Sequence, residues 1–274
     1  MQTSFHIGTI QVGGGAPLFL VAGPCVLESG EIADLVCCKA ADIAARLGIG
    51  YIFKSSYDKA NRQSHSSFRG PGIDRGLEML ARIRERRGVP VLTDVHSTGE
   101  ARRAGEVVDI LQIPAFLCRQ TDIAYACGQT GKPVFAKKGQ FMAPEDMLST
   151  ARKVEEGGSD RVVLVERGTS FGYHDLVVDM RSLAVMRGLG CPVVFDCTHS
   201  VQRPGGQGNA SGGDQRFIGT LARAAVAAGV DGVFIETHPD CERALCDAST
   251  MLPLDRLEEL VKTLVEIDRA VKRG

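Results

Sequence analysis

Eight short apolar runs, helical text between them, and Gly, Pro or polar residues at their boundaries predict an α/β fold, a single (β/α)8 TIM barrel over residues 1–274. The runs span residues 18–22, 51–53, 90–92, 107–113, 133–136, 161–165, 192–195 and 232–235. Each is too short for a stable helix, and none alternates with polar residues, as expected of strands covered on both faces of a parallel sheet. Residues 143–156 are expected to be helical, opening with Pro144, Glu145 and Asp146 and stopping at Gly157-Gly158. Residues 217–228 form a second, Ala-rich helical segment that ends at Gly229. Near the C-terminus Leu257, Leu260, Val261, Leu264 and Ile267 make a helical stripe. The gap between the third and fourth runs is short and leaves little room for a helix. Residues 9–12, ahead of the first run, are expected to form a small N-terminal β cap over the barrel floor.

Composition narrows the function classes. The formal net charge is −1, with 44% hydrophobic and 24% charged residues, which excludes a disordered chain, a collagen and a basic nucleic-acid arm. Aromatics are 5% with no Trp, so no nucleic-acid partner is expected. No apolar run approaches the roughly 20 residues of a membrane helix, so no membrane partner is expected either. The start, Met1 to Ile10, lacks the cationic region and apolar stretch of a secretory signal. Nine cysteines without a C-x-x-C pair complete the expectation of a reduced, cytoplasmic protein.

The polar residues just beyond each run point to chemistry. In order come Cys25; Lys54 and Lys59; Asp94 and His96; Gln112; Lys137 and Lys138; Arg167; His199; and Glu236. In a (β/α)8 barrel the C-terminal strand ends and the loops after them build the active site. One such polar group is ordinarily structural, but delivery from all eight strands to one rim is not. The cations Lys54, Lys59, Arg62, Arg69, Arg119, Lys137, Lys138, Arg167 and Arg203 gather there in a nearly neutral chain, an arrangement suited to phosphorylated anions. The Gly-rich loop 204–214, PGGQGNASGGD, can wrap an anion with its N–H groups, act as a hinged lid, or simply connect. It misses the dinucleotide fingerprint, and there is no Walker sequence. Cys25, His199, Glu236 and Asp247 offer thiolate, imidazole and carboxylate donors for a divalent metal. Their spacing matches no short metal motif, and a buried thiol with a hydrogen-bonded histidine is the alternative.

The motifs taken together resemble one family. They are Ala22-Gly23-Pro24-Cys25, Lys59-Ala60-Asn61-Arg62, Arg69-Gly70-Pro71-Gly72, Lys137-Lys138-Gly139-Gln140-Phe141, Asp196-Cys197-Thr198-His199-Ser200, the Gly-rich loop, and Asp247-Ala248-Ser249-Thr250. Across essentially the whole chain they resemble the 3-deoxy-D-manno-octulosonate 8-phosphate synthases (2-dehydro-3-deoxyphosphooctonate aldolases), which serve bacterial lipopolysaccharide biosynthesis. The resemblance implies a homotetrameric barrel that condenses phosphoenolpyruvate with D-arabinose 5-phosphate and water, releasing phosphate. It implies that Lys54, Lys59, Gln112, Lys138 and Arg167 hold phosphoenolpyruvate. Asn61, Arg62, Ser211 and Arg119, the last from a neighbouring subunit, would hold the sugar phosphate. The implied catalytic set is Lys59, Asp94, His96, Lys138 and His199. Cys25, where the metal-independent class carries Asn, and Gly139 place the chain with the metal-dependent class. Cys25, His199, Glu236 and Asp247 are then ligands of one divalent ion per subunit, zinc, iron(II) or manganese. Gln63 stands where many relatives carry a small hydroxyl residue. The rivals are a 3-deoxy-D-arabino-heptulosonate 7-phosphate synthase using erythrose 4-phosphate, a Schiff-base aldolase acting through a rim lysine, and a sugar-phosphate-binding regulator.

Overall fold

Parallel strands alternate with helices along the chain, and the eighth barrel strand pairs with both the first and the seventh, which closes the sheet. The computed structural model describes residues 1–61, 64, 66–203 and 212–273. Arg62, Gln63, Ser211 and most of the Gly-rich loop lie outside the described residues. The barrel strands are β1 (Phe19–Gly23), β2 (Tyr51–Lys54), β3 (Val91–Asp94), β4 (Ile110–Ile113), β5 (Val134–Lys137), β6 (Val162–Glu166), β7 (Val193–Asp196) and β8 (Gly232–His238). Around them run α1 (Gly30–Leu47), α2 (Ile73–Arg87), α3 (Thr98–Val107), α4 (Thr121–Gln129), α5 (Met147–Gly157), α6 (Arg181–Gly188), α7 (Ile218–Ala227) and α8 (Leu257–Arg273).

Both faces of every strand are apolar, for different reasons. Successive side chains of a strand point to opposite faces. Phe19, Val21, Ile52, Leu92, Ile110, Phe135, Val163, Val165, Val194 and Phe234 fill the barrel interior. Their neighbours in sequence, such as Leu20, Phe53, Leu111, Ala136, Leu164 and Val233, face the helices and share a second core with them. This double burial is why the runs show no polar alternation. The N-terminal strands Ser4–Ile7 and Ile10–Gly13 form an antiparallel hairpin. Its Phe5, Ile7, Ile10 and Val12 join the interior cluster. The hairpin approaches Gly50, Pro90 and Pro192, just ahead of β2, β3 and β7. It therefore plugs the N-terminal end of the barrel, extending the expected cap at residues 9–12 to a full hairpin.

Three boundaries differ from the expectation. The run 107–113 is not one strand: Val107 closes α3, and β4 begins at Ile110. Val108 between them is fully buried, so its apolar character serves the packed turn rather than the ladder. The short third gap does hold a helix, α3, because Ser97 caps it by accepting the Glu100 amide at 3.2 Å. In the segment 143–156 the first residues make turns, and α5 starts only at Met147. Among the described residues no helix is long and apolar enough to cross a membrane.

Phe135 stands at the centre of the interior, its ring edge-on to Phe19 at a centroid distance of 6.4 Å. Phe135→Ala is expected to lower stability by about 3–5 kcal/mol in urea denaturation, the cost of a large cavity in a core that cannot collapse around it. A loss under about 1 kcal/mol would mean that the interior is not close-packed.

Candidate active site and metal centre

Inside the barrel the strand pleat passes from apolar to polar residues as it nears the C-terminal mouth. One inward step beyond Ile52, Leu92, Ile110, Phe135, Val165, Val194 and Phe234 stand Lys54, Asp94, Gln112, Lys137, Arg167, Asp196 and Glu236. All seven are buried. Two such steps beyond Val21 stands Cys25, also buried. Gly23 makes the intervening approach possible, because a Cβ there would lie 1.9 Å from the Lys54 carbonyl oxygen. Lys54, Asp94, Gln112, Lys137 and Arg167 open into a cavity of about 640 Å³ that Lys59, Asn61, His96, His199 and Asp247 also line.

The buried charges neutralise one another. Lys54 Nζ lies 3.3 Å from Glu236 Oε1 and 3.5 Å from Asp94 Oδ1, and it donates to Ser56 Oγ at 2.9 Å. Ser56 in turn donates to Asp94. Lys59 Nζ is 3.6 Å from Glu236 Oε1. Lys137 Nζ donates to Asp196 Oδ2 at 2.6 Å, beside His199 Nδ1 at 2.9 Å from the same oxygen. Burial opposes ionisation of Asp94, Asp196 and Glu236, yet the cations around them hold all three below the usual carboxylate range. Burial pushes the Lys137 ammonium down, with Asp196 opposing. Burial likewise works against Lys59, but Cys25 and Glu236 hold its pKa above normal. Arg167 keeps one free hand: Nη2 donates to Gln202 Oε1 at 2.7 Å, while the buried Nη1 has no partner. Gln112 Oε1 is likewise buried and unpartnered. A free guanidinium donor at the wall of a cationic cavity is a receptor for a carboxylate or phosphate.

The expected metal donors converge. His199 Nε2 lies 3.8 Å from Glu236 Oε2 and 3.9 Å from Asp247 Oδ2. Ligand atoms of these three residues all fall within 4.8 Å of one another. Glu236 Oε2 is buried with no hydrogen-bond partner, a costly state for a carboxylate that a cation would relieve. Cys25 Sγ reaches the same carboxylate of Asp247 at 3.4 Å. An imidazole and two carboxylates around one unsatisfied oxygen, with a thiol beside the Asp247 carboxylate, fit a divalent transition metal. Asp196 holds His199 through Nδ1 and leaves Nε2 for the centre, the usual support of a ligating histidine.

Two of the expected substrate residues, Lys138 and Arg119, do not line this cavity. Lys138 follows the inward Lys137, so the pleat sends it to the helix side. There its ammonium donates to Thr169 Oγ1 at 3.0 Å and Gly168 O at 3.3 Å and lies 3.4 Å from Glu166 Oε1. Glu166 Oε1 also accepts the Arg167 and Gly168 amides, so Lys138 braces the segment carrying Arg167 from behind the cavity wall. Arg119 is exposed. Residues that sequence reasoning does not single out are Gln202, Glu100 and Cys246. Gln202 links Arg167 to Asp247, donating through Nε2 to Oδ2 at 3.3 Å. Glu100 sits in a Ser97-x-x-Glu capping pattern that is legible in sequence, and its Oε2 accepts the His96 amide at 3.0 Å.

Comparison with known proteins settles the relationship. The whole length from residue 2 to 273 matches the description "DAHP synthetase I family". The chain belongs to that family. Within it, the 2-dehydro-3-deoxyphosphooctonate aldolase of Acidithiobacillus ferrooxidans is 58% identical over 256 residues, 93% of this chain and 91% of its own. Those of Syntrophotalea carbinolica and Trichlorobacter lovleyi are 52% and 53% identical over 272 residues, 99% of this chain and 98% and 100% of theirs.

His96 is flanked on both ring nitrogens, Nε2 at 3.2 Å from Asp94 Oδ2 and Nδ1 at 3.1 Å from Glu100 Oε2. The edge of Tyr57 packs on the ring, and its hydroxyl donates to Glu100 at 2.6 Å. Burial works against the imidazolium, but the two carboxylates raise its pKa above the normal value. A raised folded pKa stabilises the fold fully below about pH 6.5 and loses that contribution as pH rises through the folded value. NMR titration of the His96 ring is expected to give a midpoint above about 6.5, and Glu100→Gln is expected to lower it. An unmoved midpoint in that variant would remove Glu100 from the account.

Proposed function

We propose that the chain is a cytoplasmic enzyme, working as one domain, that condenses phosphoenolpyruvate with D-arabinose 5-phosphate and water. The products are 3-deoxy-D-manno-octulosonate 8-phosphate and phosphate, a step toward the sugar acid of bacterial lipopolysaccharide. The observation that carries this reading is identity of 52–58% over nearly the full chain to relatives named 2-dehydro-3-deoxyphosphooctonate aldolase. Those names, with Lys59-Ala60-Asn61-Arg62 in the second loop, favour arabinose 5-phosphate over erythrose 4-phosphate as acceptor.

In this reaction carbon 3 of phosphoenolpyruvate bonds to the sugar aldehyde carbon. Water adds at carbon 2, the bond from carbon 2 to the phosphate oxygen breaks, and the aldehyde oxygen takes a proton. Two anions must meet, so positioning and charge neutralisation dominate. Arg167, Lys54 and Lys59 are assigned to the phosphoenolpyruvate anion, with Gln112 accepting or donating beside them. Asn61 lines the same cavity and is assigned to the sugar phosphate, together with Arg62 and Ser211. The Asp94–His96 pair is assigned to the water and the aldehyde oxygen, with the carboxylate accepting a proton and the imidazolium returning one. Cys25, His199, Glu236 and Asp247 would hold a divalent ion, zinc, iron(II) or manganese, which supplies Lewis-acid polarisation of the aldehyde or the water. A homotetramer is part of the reading. Phe116, Phe141 and Tyr173 expose 52%, 58% and 97% of their surface, and Phe116 also lines the cavity, so a partner subunit bringing Arg119 would both cover apolar surface and complete the sugar-phosphate end.

Phosphate release from phosphoenolpyruvate is expected with arabinose 5-phosphate and to be much slower with erythrose 4-phosphate. It is expected to stop on chelation and return with added metal. Faster turnover of erythrose 4-phosphate would move the chain to the heptulosonate branch, whereas activity surviving complete metal removal would keep the reaction and discard the ion. Arg167→Met is expected to lower kcat/KM for phosphoenolpyruvate by about 10- to 100-fold, the loss of one charge-assisted contact. A variant within about twofold of wild type would take Arg167 out of the anion site.

A further inference from the structure

We propose that Cys246 is a second thiolate ligand of the metal centre, so that the site offers two sulfurs rather than one. The inference rests on the metal reading of Cys25, His199, Glu236 and Asp247 above. Cys246 is buried, with 3% of its surface exposed, and its Sγ lies 2.8 Å from Cys25 Sγ. Cys25, Cys246 and Asp247 place their ligand atoms within 4.8 Å of one another. The triad of His199, Glu236 and Asp247 does the same, and Asp247 belongs to both. Two thiols, an imidazole and a second carboxylate therefore gather around the Asp247 carboxylate.

Adjacent residues in extended or helical backbone do not ordinarily send both side chains to one point. Here they do, and the backbone shows how. Asp247 has φ 47°, the one non-glycine residue in the left-handed region among the described residues. Holding such a residue there costs free energy and persists where surrounding structure enforces it. The enforcement is visible: the Thr250 and Met251 amides donate to Asp247 O, Leu245 N donates to Glu28 Oε1 at 3.0 Å, and Gln215 Nε2 donates to Ala248 O at 2.9 Å. The strained turn aims Cys246 and Asp247 together at Cys25. Two thiolates bound about 2.3 Å from one ion at a ligand angle of about 110° stand roughly 3.8 Å apart, so seating the ion parts these sulfurs by about 1 Å. Two soft donors bias a mixed nitrogen, oxygen and sulfur site toward thiophilic ions such as zinc and away from manganese and magnesium.

The test is direct counting of sulfur around the ion in the intact protein. X-ray absorption of the zinc-loaded wild type is expected to fit two sulfur scatterers at about 2.3 Å. In the cobalt(II)-loaded protein, Cys246→Ser is expected to lose about half of the thiolate-to-cobalt charge-transfer intensity and to bind zinc less tightly relative to manganese. A single sulfur in the wild-type zinc site, or an unchanged charge-transfer band in Cys246→Ser, overturns the proposal and leaves the ion on Cys25. Failure of zinc and cobalt to bind the wild type overturns the metal reading itself, and the two failures are thus told apart. The absorption measurement needs no variant, so a Cys246→Ser protein that does not fold leaves the first arm decisive.

Discussion

A lysine buried at the mouth of a barrel stays charged only if a carboxylate meets it, and the whole site is arranged around that condition. Removing either ion from water costs several kcal/mol, and an unpaired buried charge is lost to titration or to unfolding. Lys54 meets Asp94 and Glu236, Lys59 meets Glu236, and Lys137 meets Asp196. The result is a lattice of alternating sign, in which three carboxylates remain ionised despite burial. Such a lattice is already oriented before any substrate arrives, and little reorganisation is left for the reaction to drive. The groups it leaves open are equally informative. Arg167 Nη1, Gln112 Oε1 and Glu236 Oε2 are buried without partners, and they are the candidate positions for an anion and for a cation.

Hydrogen bonds connect these groups. Arg167 donates to Gln202, and Gln202 donates to Asp247. On the other side Lys59 and Lys54 share Glu236 with His199. The residue chain that begins at the open Arg167 donor thus ends on a candidate metal donor. Lys138 belongs to this scaffold rather than to the cavity: with Glu166 it anchors the backbone from which Arg167 projects.

The legible part of the fold and site comes from the period of two. Eight apolar runs mark the strands, and the residues after them mark the rim, because a closed parallel sheet is dry on both faces until its strands end. The same period, carried one residue further, separates Lys137 from Lys138: Phe135 is interior, so Lys137 is interior and Lys138 is not. Motif matching alone does not make that distinction. Val107 reads as strand in the sequence because a helix end and a strand beginning only two residues apart merge into one apolar run. Cys246 is not legible from spacing at all. Its approach to Cys25 spans 221 positions of chain and depends on one left-handed residue, a conformation that aspartate tolerates but that the sequence does not mark at this position.

That left-handed residue bears on why the candidate donors come from a loop as well as from strand ends. A strand delivers one inward side chain every second residue, and neighbouring strands stand nearly 5 Å apart. Packing several donors around a single atom needs a tighter convergence than the ladder offers. Glu236 comes from an inward position near the end of β8, and Cys25 and His199 come from the first turns beyond β1 and β7. Asp247 arrives from a loop that the short strand Leu252–Pro253 ties back to Thr237 and His238 of β8. The barrel thus provides a rigid frame at coarse spacing, and a strained turn pinned to that frame supplies the fine convergence. Glycine at the same position would adopt this backbone without the cost a side chain adds. Its presence at a carboxylate that neighbours a histidine, a glutamate and two thiols is what sets the loop apart from ordinary connection.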